Sequence, residues 1–133
     1  MHITVTGSHG FIGTHLVKHF LDNDHWLNCW DTEIGKNISD FTLKSVLEDK
    51  TDVIVHLAAL AGIRDSIEDP DEYWKVNVEY TKRVFAVAEE TNTRVIYASS
   101  SACKKWHGNP YAISKYVNEF IAPKNSVGLR FST

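Results

Sequence analysis

Tyr111 and Lys115 lie four residues apart in the run Pro-Tyr-Ala-Ile-Ser-Lys, a spacing that puts both side chains on one face of a helix. A phenol with an ordinary pKa of ~10 is a poor base at neutral pH, and a neighbouring ammonium stabilises the phenolate and lowers that pKa. A tyrosine so placed can take the proton of an alcohol while hydride leaves the same carbon for a nicotinamide, and the lysine can also hold the nicotinamide ribose. The same chemistry calls for a hydroxyl that polarises the substrate oxygen. Ala98-Ser99-Ser100-Ser101 offers it upstream, at the end of a strand-like run, where open α/β sheets place their ligands.

A second constellation opens the chain. A short apolar run leads into Gly7-Ser8-His9-Gly10-Phe11-Ile12-Gly13, and a helical pattern follows. Glycines let the backbone turn sharply and approach a pyrophosphate without a Cβ in the way, and the helix N-terminus offers free N–H groups and its positive dipole end. The GxxGxxG spacing is weak evidence alone and gains weight from its place between a first strand and a first helix. Asp31 ends the second strand-like run, 18 residues after Gly13. A carboxylate there accepts hydrogen bonds from ribose hydroxyls and repels a 2′-phosphate, so NAD is favoured over NADP.

The elements that must position these residues alternate in type. Strands are expected at His2–Thr6, Trp26–Trp30, 52–57, 94–98 and Ser126–Phe131, with a further short strand near 36–38. Most are continuous apolar runs, as in strands buried on both faces. Helical spacing covers 11–21, 41–48, 70–90 and 110–121. Strand–helix alternation with right-handed crossovers predicts a Rossmann-type α/β fold: a doubly wound parallel sheet in one minimal domain over residues 1–133.

The ordered pieces VTGSHGFIG at 5–13, Asp31, Asn37-Ile38, HLAALAG at 56–62, Asn77-Val78, IYASSSA at 96–102, PYAISK at 110–115 and VGLRF at 127–131 resemble the extended short-chain dehydrogenase/reductase family, the NAD-dependent nucleotide-sugar epimerases and dehydratases. The resemblance spans nearly the whole chain. It implies Ser100, Tyr111 and Lys115 as the catalytic set, with Ser101 as the alternative hydroxyl because three consecutive serines leave the register open. It implies Gly7, Gly10, Phe11, Ile12, Gly13, Asp31, Asn37, Ile38, Leu57, Ala58, Ala59, Asn77, Tyr111 and Lys115 around the cofactor. Asn37-Ile38 falls near the adenine, Leu57, Ala58 and Ala59 near the pyrophosphate and ribose, and Asn77 in a role that packs or orients the central site. Lys104-Lys105 replaces the family's usual Tyr-Gly, the connection from Ser101 to Tyr111 is short, and a minimal domain without the family's usual C-terminal substrate domain is expected.

The activity this implies is NAD-dependent epimerisation of a nucleotide sugar, of the 4-epimerase kind, through a keto intermediate. The family's dehydratases place acidic residues just after the catalytic hydroxyl, whereas this chain has Ser101 and Ala102, which favours epimerase or keto-reductase chemistry. The alternatives are an NAD-binding module without turnover and a truncated piece of a longer enzyme. The family's dimers pair the long helix and the Tyr/Lys helix with their copies, so a homodimer through 70–90 and 110–121 is expected.

Bulk properties narrow the partners. With 43% hydrophobic residues the 133-residue chain can bury a core, and its net charge of −3 offers no global field for nucleic acid. No apolar run approaches the ~18 residues of a membrane span. Two cysteines, Cys29 and Cys103, are no disulfide framework, and a cytoplasmic location is expected. His15 and His19 share a helix face, but Leu16 stands where a zincin pair needs Glu, so no metal is expected.

Overall fold

A computed structural model describes residues 1–132; Thr133, the last residue of the expected domain, lies outside the described residues. Five strands, β1 (His2–Thr6), β2 (Trp26–Trp30), β3 (Val53–His56), β4 (Arg94–Ser100) and β5 (Ser126–Phe131), form one sheet. Its order is β2-β1-β3-β4-β5 and every pairing is parallel. The chain winds outward from β1 to β2 and then from β3 to β5. The winding therefore reverses between β1 and β3, and ligands of open α/β sheets bind in the crevice at such a reversal.

Both faces of the sheet carry helices, which explains the continuous apolar runs. On one face Ile3, Val5 and Val55 pack under Leu16, Val17 and Phe20 of α1 (Phe11–Asp22). On the other, Ile54, Val95 and Tyr97 meet Val84, Phe85 and Ala88 of α5 (Thr81–Glu90), with Phe41 and Val46 closing the cluster. Val46 belongs to α2 (Leu43–Leu47), and Phe41 enters the core from the turn before it.

The 70–90 helix is continuous but not uniform. It comprises α4 (Pro70–Trp74), a π-helical stretch (Lys75–Tyr80) and α5. Two further elements flank the site: α3 (Ile63–Glu68), outside the helical spans expected from the sequence, and a 3-10 stretch at Ser101–Gly108 that leads into α6 (Pro110–Ile121). The strand expected near 36–38 is absent. Asn37 Oδ1 accepts the Ser39 N–H at 2.9 Å and caps a 3-10 turn at Ile38–Asp40 instead, the local competition that asparagine side chains offer to an extended ladder. Among the described residues no helix is long and apolar enough to cross a membrane.

Candidate active site

The two halves of the site are built differently. The first is almost entirely backbone. Gly7 follows β1 with φ +70°, and a Cβ there would lie 2.6 Å from the Ala58 nitrogen on the loop after β3. The bare glycine thus lets the β1 and β3 loops touch at the winding reversal. Gly13 lies against the Gly7 carbonyl and Ser8, leaving no room for a side chain. Gly10 differs: a Cβ there would make only an ordinary 3.5 Å contact with the Gly7 carbonyl. Gly10 is also the N-cap of α1, where no side chain caps the helix and no acidic residue enters the first turn. The N–H groups at the start of α1 are therefore left for a ligand.

Gly7, Gly10, Asp31, Asn37, Ile38, Leu57, Ala58 and Ala59 line one cavity of about 480 Å³. Asp31 faces it with each carboxylate oxygen taking one backbone hydrogen bond, from His9 N–H at 2.9 Å and from Glu33 N–H at 3.1 Å. The first of these ties the end of β2 to the glycine loop. Carboxylate oxygens have further lone pairs, so Asp31 can still accept from ribose hydroxyls. A cradle of bare glycines, open N–H groups and a carboxylate fits a dinucleotide.

The second half is built of side chains from separate elements. Ile12, Leu57, Ala59, Ser100, Ser101, Tyr111 and Lys115 line an adjoining cavity of about 750 Å³, which shares Leu57, Ala59 and Leu60 with the first. Asn109 Oδ1 accepts the Ala112 N–H at 2.8 Å and Pro110 opens the first turn, so α6 starts one residue before Tyr111. Lys115 is 5% exposed, and its Nζ donates to the Ala98 carbonyl of β4 at 3.1 Å. Burial pushes its pKa down to about 8, which leaves the ammonium charged at neutral pH. Ser100 Oγ accepts the Ala102 N–H at 3.2 Å and caps the following 3-10 stretch. Ser99 also lines this cavity, and its hydroxyl donates to Glu119 of α6 at 2.5 Å.

Three residues expected at the cofactor, Phe11, Gly13 and Asn77, line neither cavity. Phe11 has 84% of its surface exposed. Asn77 is wholly buried, also outside both cavities, and acts on the loop between them. Its Oδ1 accepts the Leu60 N–H at 2.7 Å, and its Nδ2 donates to the Leu60 carbonyl at 2.9 Å and to Ser114 Oγ at 3.2 Å. It thereby fastens the shared wall of the two cavities to α6. Asn77 sits in the π-helical stretch, a deviation that recurs at functional sites. Asn118, which sequence reasoning missed, donates to the Asn77 carbonyl at 2.7 Å.

His56 is structural. Its Nδ1 lies 2.7 Å from Thr6 Oγ1 and its Nε2 2.9 Å from Thr81 Oγ1. Burial, with a smaller contribution from the Lys115 charge, lowers its pKa to about 3, so it stays neutral. Glu119 receives a bidentate ion pair from Arg130 of β5, at 2.8 and 2.6 Å. The Arg130 bonds and the Ser99 hydroxyl hold the Glu119 carboxyl below its ordinary pKa against the opposing effect of burial. Among the described residues no group of three His, Cys, Asp or Glu side chains is placed to hold a metal.

Residues 3–124 match the family model described as the NAD dependent epimerase/dehydratase family. The chain is 37% identical to the uncharacterized protein MJ1055 of Methanocaldococcus jannaschii, over 98% of this chain and 56% of that protein. It is 31% identical to a UDP-glucose 4-epimerase of Pisum sativum, over 75% of this chain and 36% of that enzyme. Among solved structures, MoeE5 in complex with UDP-glucose and NAD superposes with a TM-score of 0.85 at 26% identity, covering 98% of this chain and 54% of that one. The chain thus spans about half the length of the relatives it matches, or less. The alignment to MJ1055 runs over 183 positions against the 133 residues here, so this chain is also shorter within the match.

Proposed function

Because this chain belongs to the NAD dependent epimerase/dehydratase family, whose cofactor is NAD, we propose that it binds NAD and epimerises a nucleotide sugar at a carbinol carbon, in the manner of a 4-epimerase. The observation that carries this reading is the shared cavity of Tyr111, Lys115 and the Ser100–Ser101 strand end, which opens onto the glycine cradle. Bound NAD supplies the hydride acceptor and, on return, the hydride donor. Tyr111 takes the hydroxyl proton as the C–H bond electrons leave and the C=O bond forms. Ser100 donates a hydrogen bond to the same oxygen. Lys115, one turn along α6 in the same cavity wall, holds the helix to the Ala98 carbonyl of β4 and is the cation placed to reach the ribose. Once the keto sugar had turned over, Tyr111 would return the proton to the same oxygen, with bound NAD supplying the hydride.

The test is to incubate the purified chain with NAD⁺ and a panel of nucleotide sugars, following epimer formation and nicotinamide absorbance. Tyr111→Phe should lower the rate by about 10²–10⁴-fold with NAD affinity within about twofold of wild type. Confirmed NAD binding with neither epimer nor reduced nicotinamide would favour the second reading, a dinucleotide-binding module or part of a longer enzyme. That reading draws support from the half-length coverage of the relatives. A homodimer through the 70–90 and 110–121 helices completes the proposal, supported by exposed Trp74, Tyr116 and Phe120. A monomer mass by light scattering at micromolar concentration would reject it.

A further inference from the structure

The charges around the two cavities are segregated. The one beside Asp31 is lined by Asp31, Glu33 and Glu72 together with Lys36 and Lys75. The one beside Tyr111 is lined by Lys104, Lys105 and Lys115 and by no aspartate or glutamate. In a chain of net charge −3 this cavity concentrates positive potential in a concave, partly apolar space, where field lines are focused. Lys115 is committed to the Ala98 carbonyl and to the neighbourhood of Tyr111. Lys104 and Lys105 have no such engagement. The ion pairs among the described residues are Lys44–Glu48, Lys75–Glu72 and Arg130–Glu119.

These two lysines do not hang on a free loop. Cys103, immediately before them, is 3% exposed and packs into the interior, with its Sγ 3.4 Å from Ser99 Oγ. Trp106, immediately after them, stacks on Tyr116 of α6 with ring centroids 5.2 Å apart and planes at 16°. The backbone between the anchors kinks at Lys105, with φ −126° and ψ 51°. The pair is thereby held at the cavity that contains the hydroxyl donor and the tyrosine, and away from the glycine cradle, which lines the other cavity.

We infer that Lys104 and Lys105 form an anion subsite beside the reacting carbon, and that it selects sugars carrying a carboxylate or phosphate close to the hydroxyl that is oxidised. The inference rests on the proposed role of Tyr111 for the words "reacting carbon"; the subsite itself is tested by binding alone. With the full chain saturated in NAD⁺, calorimetric titrations compare UDP-glucuronate with UDP-glucose and glucose 6-phosphate with glucose, with UDP as control. At low salt the charged member of at least one pair should bind about tenfold more tightly, the scale of two partly exposed ion pairs. That preference should shrink at high salt and fall to within about twofold in the Lys104→Gln/Lys105→Gln double variant, with UDP affinity unchanged.

Preference within the first pair identifies an acid sugar, and within the second a sugar phosphate. The inference is overturned if neither pair is discriminated, if no probe binds, or if the preference survives in the double variant. It is equally overturned if UDP loses affinity in step, which would make the pair a nucleotide-diphosphate contact. Failure of the hydride-transfer reading is seen separately, as neither epimer nor reduced nicotinamide formed by a chain that still discriminates the probes.

Discussion

Replacing Gly10 and Gly13 separately by alanine should separate ligand approach from architecture in the glycine loop. At Gly13 the new Cβ meets the Gly7 carbonyl and, at 2.9 Å, the Ser8 Cα and carbonyl carbon. All of these are backbone, so no side chain can rotate away. Overpacking of this kind costs about 1–3 kcal/mol and more where backbone must move, or roughly 3–10 °C in Tm for a domain of this size. At Gly10 the Cβ meets only the Gly7 carbonyl at 3.5 Å, and φ is −70°, ordinary for alanine. The gain of about 0.4–1 kcal/mol from a stiffer unfolded chain is offset by a similar loss, about 0.5–1 kcal/mol, for alanine in place of glycine at an N-cap. Gly10→Ala should therefore unfold within about 2 °C of wild type, while the added methyl occupies the space a pyrophosphate needs and weakens NAD binding by about tenfold or more. Thermal unfolding without ligand and calorimetric NAD titration give both readings. A Gly10→Ala protein that binds NAD like wild type, or that melts as early as Gly13→Ala, would refute the assignment of Gly10 to the ligand.

Asp31→Ala should narrow the preference for NAD(H) over NADP(H), measured by titration of both, because the carboxylate that repels a 2′-phosphate is gone; equal affinities in the wild-type chain would sink the assignment. Ser100→Ala should lower turnover more than Ser101→Ala in a steady-state assay, and the reverse order would move the hydroxyl role one residue along. Lys115 has a folded-state pKa of about 8 against 10.5 for the free side chain, so between those values the unfolded chain binds more protons and stability rises with pH. The charged lysine should therefore cost up to roughly 3 kcal/mol of stability below pH 8, a cost relieved toward pH 10.5. Urea unfolding at pH 7 and pH 10 should show that rise in wild type and lose most of it in Lys115→Met; identical pH slopes in both proteins would contradict it.

The glycine-lined half of the site was legible in outline because its information is local. Gly7, Gly10 and Asp31, singled out by spacing, do line one cavity together, and three strands, β1, β2 and β5, have the bounds expected. Elements whose cause is not periodic were hidden. The Lys75–Tyr80 π-helical stretch spans six residues, too few for its longer repeat to stand out from an α-helical pattern. Helix α3 is polar enough to read as a loop; only Ser66 on it is buried. The 101–108 stretch is started by a side-chain cap from Ser100, within a serine run that spacing alone assigned to the strand end and to chemistry. Asn77 could be placed near the site through resemblance, but its part in joining Leu60 to Ser114 depends on three segments distant in sequence.

Tyr111 and Lys115 are useful only if α6 keeps its register against β4, and α6 is held by bonds of a kind that tolerates little slippage. Lys115 reaches the Ala98 carbonyl, Glu119 joins Ser99 to Arg130, Ser114 takes the Asn77 amide, and Asn118 takes the Asn77 carbonyl. Ser114, Lys115, Asn118 and Asn77 are all buried, so a shift of one residue would strand several polar groups at about 1–3 kcal/mol each. Each of these partners lies within residues 77–130. The register of the tyrosine–lysine helix is thus set by this chain's own residues. Lys104 and Lys105, which line the same cavity and stay exposed, take no part in that register and are left to whatever occupies the cavity.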